Sequence, residues 1–339
     1  MHIIVDAMGG DDAPRAVVEG CVLAAKRLDV MLTLVGRETE IKQELKRCGY
    51  PGDRIRVVHA AEVIGGGEDP MKGIKKKDSS MRRALTMLKN DEGDVAVSAG
   101  NTGALISGAT LLVKRIPGVR RVALAPVMPT SKGCFLLVDA GANAECTPAF
   151  LKQFAIMGSI YMESIMKVKS PRVRLINIGA EEEKGTPLIT KTHQLLKELP
   201  IRYEGYIEGR EVPLGGADVV VCDGFTGNVM LKFMEGMGIA FSDMVKQIFL
   251  KNAVTKLSAL MVKGGLKDFK KAMDYTEYGG APILGTVKPV IKAHGSSNAN
   301  AFYHAICQAK RLTEEHLVDA IAENIQKYGQ ESRGSDTDE

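Results

Sequence analysis

No Cys-x-x-Cys pair occurs in the 339-residue sequence, and its six cysteines (Cys21, Cys48, Cys134, Cys146, Cys222 and Cys307) are scattered. That spacing argues against structural zinc and a disulfide framework and predicts reduced, mostly buried thiols. No G-x-G-x-x-G follows a strand-like run, and G-x-x-x-x-G-K-[ST], G-x-S-x-G and H-E-x-x-H are missing. Nucleotide phosphates, serine hydrolysis and zinc proteolysis lose support accordingly. The longest uncharged stretch, residues 95–113, could span a bilayer by length, but eight of its nineteen residues are Gly, Ser, Thr or Asn. It reads better as strand, loop and helix. The start is strand-like, with no basic region before an apolar run, so no signal peptide is expected and the chain is placed in the cytoplasm. Forty-five basic against forty-one acidic side chains leave +4, too little to imply nucleic acid.

A 45% hydrophobic, 25% charged composition is that of a folded globular chain. Short β-branched runs at residues 3–6, 31–35, 55–59, 95–98, 135–139, 173–178 and 219–223 alternate with amphipathic helical patterns. This alternation predicts right-handed crossovers and a largely parallel sheet covered on both faces. Without repeats, Pro-rich linkers or composition shifts, residues 1–328 read as one large α/β catalytic domain. A helical hairpin at about residues 244–273 interrupts it, and a frayed polar tail follows at 329–339.

Five of the strands run into small-residue loops: DAMGGDDAP from Asp6, SAGNTGA from Ser98, DAGAN from Asp139, NIGAEEEKG from Asn177 and DGFTGN from Asp223. In open α/β sheets ligands bind beyond the carboxyl ends of strands, so the loops are expected along one edge of the molecule. Glycine lets backbone N–H groups approach a ligand, and helix N-termini favour anions, so the loops suit a phosphate-sized group. Any one such turn has an equally good structural explanation. The candidate binding residues are Asp6, Gly9, Gly10, Asn101, Thr102, Gly103, Asn143, Gly179, Asp223, Gly224, Thr226 and Gly227. Gly280, in YGGAPILG, marks either another close-approach loop or a chain reversal.

Lys184 could place a cation on substrate oxygen or be an ordinary surface charge. Asn101, Asn143 and Asn228 each close a glycine-containing turn, where an amide either caps the next helix or donates to an oxyanion. His294 opens HGSSN before a long helix expected over about 300–328; Ser296, Ser297 or Asn298 can cap it, and Ser296 is also a candidate substrate-binding residue. The histidine suits a phosphate ligand or an acid/base group. The cysteines lie in apolar patterns, where burial quenches nucleophilicity.

From Lys246 to Lys271 there are seven lysines against one acid, Asp268. Leu250, Val254, Leu257 and Met261 share one helical face; beyond Gly264 and Gly265, Leu266, Phe269 and Met273 form another. Two amphipathic helices around a flexible tip are expected. They either pack on a second subunit or contact an anionic membrane or acidic protein, with Lys251, Lys256, Leu257, Leu260, Met261 and Lys263 as the contacting residues.

VDAMGGDDAP, SAGNTGALISGA, LLVDAGAN, QFAIMGSIY, SPRVRLINIGAEEEKG, VVCDGFTGNVMLK, YGGAPILG and KAHGSSN, in that order over about residues 1–309, closely resemble the bacterial phosphate acyltransferases of phospholipid synthesis. The resemblance implies transfer of a fatty acyl group from acyl carrier protein to inorganic phosphate, with no cofactor. It also implies a homodimer with a three-layer α/β/α sandwich like that of isocitrate and isopropylmalate dehydrogenases, and peripheral membrane association. Asp12 departs from the family pattern, where many members carry His. With that chemistry, Lys184 would hold phosphate or polarise the thioester, Asn228 would donate to the oxyanion, and His294 would bind phosphate or shuttle a proton. Two other classes remain open: an NAD-dependent oxidoreductase and a non-catalytic scaffold at a lipid surface.

Overall fold

The computed structural model describes residues 1–265 and 278–334. Two mostly parallel sheets form its frame. The first contains β1 (His2–Asp6), β2 (Met31–Gly36), β3 (Ile55–His59), β4 (Val95–Ser98), β5 (Ala123–Leu124), β11 (Ala281–Leu284) and β12 (Val290–Lys292), in the order β3-β2-β1-β4-β12-β11-β5. β11 runs antiparallel to both neighbours. The second contains β6 (Val127–Thr130), β7 (Gly133–Val138), β8 (Val173–Asn177), β9 (Tyr203–Glu208) and β10 (Val219–Val221), in the order β6-β7-β10-β8-β9, with β6 antiparallel. The apolar runs Ile3–Ile4–Val5 and Val219–Val220–Val221 are buried, as strands covered on both faces must be.

The one largely parallel sheet expected from the sequence is therefore two sheets, each with its own carboxyl edge. The chain crosses between them around Pro126, whose missing N–H ends the β5 pairing. The Ala140 amide donates to the Leu124 carbonyl and the Leu137 amide to the Pro126 carbonyl, stitching β7 to the crossing.

Helix α1 (Arg15–Arg27) packs against α10 (Ala299–Glu314), and α6 (Pro148–Ser164) lies within the fold, buried on nearly every side. Its apolar composition all round fits that position. α2 (Glu38–Arg47), α3 (Pro70–Gly73), α4 (Ser80–Lys89), α5 (Thr102–Gly108) and α7 (Pro187–Lys197) complete the covering layers. The expected long C-terminal helix is two: α10 ends at Glu314, His316 adopts φ 50, and α11 (Leu317–Gly334) follows. A left-handed residue cannot continue a right-handed helix.

The expected hairpin also divides differently. α8 (Gly224–Leu250) is a 27-residue helix, and α9 (Ala253–Met261) follows after a break at Lys251 and Asn252. Asn252 makes the break: its carboxamide oxygen accepts the Thr255 amide at 2.9 Å, and the Thr255 hydroxyl accepts the Asn252 amide at 3.0 Å. This reciprocal cap starts a new helix. Leu250 therefore does not share a helix with Val254, Leu257 and Met261. Lys263, Gly264 and Gly265 have helical backbone where a flexible tip was expected. Leu266, Phe269 and Met273, with Lys267, Lys270 and Lys271, lie outside the described residues. Among the described residues no helix is long and apolar enough to cross a membrane.

Candidate active site

Three loops of the first sheet lock together beyond its carboxyl edge. Buried Asp6, at the end of β1, accepts the Ser98 hydroxyl from β4 at 2.6 Å. Burial raises its carboxyl above the usual range, against the hydrogen bonds of Ser80 and Ser98. A Cβ on Gly9 would stand 2.5 Å from the Gly100 amide nitrogen, so only glycine allows these backbones to meet. Gly10 lies against the Gly295 carbonyl, which accepts the Asp11 amide at 2.8 Å. Asn101 caps α5 through the Ala104 amide at 2.9 Å, and its own amide donates to Gly65, Gly66 and Glu68 carbonyls. Its carboxamide is spent on structure.

Across from these, the loops after β7 and β10 interlock. Asp139 accepts the amides of Leu124, Gly141, Ala142 and Asn143, plus the Asn143 side chain. The Asn143 amide also donates to Val122, and its carbonyl accepts the Gly224 amide at 2.8 Å. Asn143 therefore builds the loop, with no donor left for an oxyanion. Asp223 caps α8, taking the Thr226 amide at 2.9 Å and the Thr226 hydroxyl at 2.8 Å.

A cavity of about 370 Å³ lies between the two groups. Thr102, Gly103, Gly224, Asn228, Gly280 and His294 line it, so candidates far apart in sequence meet there. Its apolar wall includes Leu124, Pro126, Val127, Ala140, Phe225 and Leu231. Three charged residues missed in the sequence join them: Lys232, Glu235 and Lys292. Lys232 donates to Glu235 at 2.8 Å, and His294 Nε2 lies 3.7 Å from the same carboxylate. Burial opposes the Glu235 charge, but His294 and Lys232 outweigh it and hold the carboxyl below its ordinary range. Burial holds the Lys292 amine down at about 8. The place of Lys292 two residues before His294 was the available signal. The Asn228 carboxamide lies against Gly141 and has no hydrogen-bond partner among the described residues.

Other candidates lie elsewhere. Lys184, in the loop after β8, is exposed, pairs with Glu181 at 2.8 Å over Gly179, and does not line the cavity. β8 adjoins β10, so this loop shares the second sheet's carboxyl edge with the DGFTGN loop. Ser296 hydrogen-bonds His294 Nδ1 at 2.8 Å, and Asn298 caps α10. All six thiols are shifted upward, chiefly by burial, with Cys146 at about 12. Lys251, Lys256 and Lys263 are exposed, as are Leu257 (64%) and Met261 (85%).

A family model described as "Fatty acid synthesis protein" matches residues 1–319. A phosphate acyltransferase of Alkaliphilus oremlandii is 50% identical over 330 residues, covering 97% of this chain and 98% of the relative. One of Thermoanaerobacter pseudethanolicus is 47% identical over 333 residues, covering 98% and 99%. Among solved structures, a phosphotransacetylase from Streptococcus pyogenes superposes with a TM-score of 0.65 at 14% identity, covering 94% of each chain. A branched-chain phosphotransacylase from Enterococcus faecalis gives 0.54 at 14% identity, covering 92% of this chain and 99% of that one. At those identities the structures show a common fold.

Proposed function

Because the chain belongs to the fatty acid synthesis protein family, together with relatives named phosphate acyltransferase, we propose that it transfers a fatty acyl group from acyl carrier protein to inorganic phosphate. The acyl phosphate formed then feeds phospholipid synthesis. The observation that carries this reading is the cavity itself, where apolar side chains suited to an acyl chain share one lining with Lys232, Lys292 and His294. Phosphate is already anionic and nucleophilic near neutral pH, so the site needs position and an oxyanion donor more than a covalent nucleophile.

A phosphate oxygen attacks the thioester carbonyl carbon, and the carbonyl oxygen takes up negative charge. Asn228, which lines the cavity, donates to it. Collapse of this intermediate breaks the C–S bond, and His294, held beside Glu235, supplies the proton that leaves with the sulfur. Lys184 steadies the donor from the neighbouring loop of the same sheet edge.

Two contacts complete the proposal. The exposed apolar side chains of α8, Phe233 (66%) among them, pack against a second copy of the chain. Leu257 and Met261 on α9, flanked by Lys251, Lys256 and Lys263, touch anionic membrane.

The test is thiol release from acylated carrier protein with and without inorganic phosphate. Release that depends on phosphate supports the reading, and equal release without it overturns the reading.

A further inference from the structure

We propose that Lys292 is the cation that binds the phosphate nucleophile; this rests on the acyl transfer proposed above. Lys292 ends β12, in register with Ser98 of β4, and its side chain lines the cavity beside Ala293 and His294. An ammonium group has three N–H donors. Two go to backbone carbonyls, Ala99 at 3.2 Å and Ala293 at 2.5 Å. These bonds fix the nitrogen between the loops after β4 and β12 and leave its third donor for the cavity.

Two lysines line the cavity, and the other one, Lys232, is paired with Glu235 at 2.8 Å; Lys184 lies outside the lining. Lys292 makes no ion pair with a carboxylate among the described residues. Asp6, Asp11 and Glu235 favour its charge at longer range, while Lys232 opposes it. An acyl thioester is neutral at its reacting carbon. Of the two substrates, phosphate is therefore the one that gains from an ammonium withdrawn from water.

The experiment compares full-length wild type with Lys292→Met, which keeps the length and removes the charge, and Lys292→Arg, which keeps the charge. Each is checked for an intact thermal transition, titrated calorimetrically with inorganic phosphate alone, and assayed for thiol release. Loss of one charge-assisted hydrogen bond should raise the phosphate KM of Lys292→Met roughly tenfold to a hundredfold. Its KM for the acyl donor should stay within about twofold, because only phosphate has lost a contact. Its phosphate heat should vanish, and Lys292→Arg should retain it. A folded Lys292→Met with wild-type phosphate KM and heat overturns the assignment.

If Lys292→Met fails to fold, phosphate affinity of wild type and Lys292→Arg is compared between about pH 7 and about pH 9. Affinity lost on this rise only in wild type supports the assignment, since arginine stays charged there. Parallel curves overturn it. Wild type without phosphate-dependent release overturns the acyl-transfer reading as well, whereas an unaffected variant of a phosphate-dependent wild type overturns only the role of Lys292.

Discussion

Gly227 and Asp139 meet backbone to backbone: a Cβ on Gly227 would stand 1.9 Å from the Asp139 carbonyl oxygen. The first turn of α8 is thereby seated on the loop after β7, and both line the cavity. Gly227→Ala has no room without moving that turn. It should destabilise the protein by about 1–3 kcal/mol, the usual cost of overpacking, and lower acyl transfer in the fraction that stays folded. Thermal melting beside the thiol-release assay checks this, and an unchanged melting temperature would show that the loops slide freely.

Lys184→Ala tests the exposed loop. Only its pairing with Glu181 is lost, and an exposed pair is worth little to stability. Turnover should nevertheless fall by about tenfold or more with melting unchanged, as expected when a substrate contact is removed. Near-normal turnover would make Lys184 an ordinary surface charge.

The pH profile follows from Lys292, whose amine burial holds at about 8. As pH rises through that value the ammonium becomes neutral and loses its hold on an anion. The rate at low phosphate should therefore fall above about pH 8, and the falling limb should move upward in Lys292→Arg. Rates measured across pH in both proteins check the sign.

Burial raises the six thiols, so thiolate is scarce at neutral pH. Brief alkylation should leave acyl transfer intact, and intact-mass measurement during turnover should show no acylated protein. A mass increase equal to the acyl group would point to a covalent route.

Leu257→Glu with Met261→Glu separates lipid from subunit contact. Full burial of such side chains in lipid would contribute roughly 1.5–3 kcal/mol each. Flotation with anionic vesicles should then be lost while soluble acyl transfer persists. A variant that becomes monomeric, with wild type that never binds vesicles, would assign these residues to subunit packing.

The legible part of the fold was its seven short β-branched runs. β1, β2, β3, β4, β7, β8 and β10 all occur where such runs lie. β5 has two residues, Pro282 interrupts β11, and β12 is a three-residue VIK with only two apolar members, so none shows the β-branched run that makes the three-residue β10, VVV, legible. β9 reads YEGYIE, with acids where a buried strand would carry apolar residues. The glycine loops were legible as anion-suited turns, but their meeting across two sheets depends on tertiary placement that no local pattern encodes. Asn101 and Asn143 show the same limit, because only the fold reveals that their amides are already engaged. Lys292 was missed because it sits on one of those short strands.

Helix α8 joins two environments along a rod about 40 Å long at 1.5 Å per residue. Asn228, Leu231, Lys232 and Glu235 face the cavity from its first part, while Phe241, Met244 and Ile248 stand exposed on the rest. Between the two parts lie Gly236 and Gly238, where a Cβ would meet nothing within 4 Å. Each helical glycine costs about 0.5–1 kcal/mol relative to alanine, so the rod is intrinsically weakest between the turns that line the cavity and the turns that stand exposed, and alanine would fit at either position.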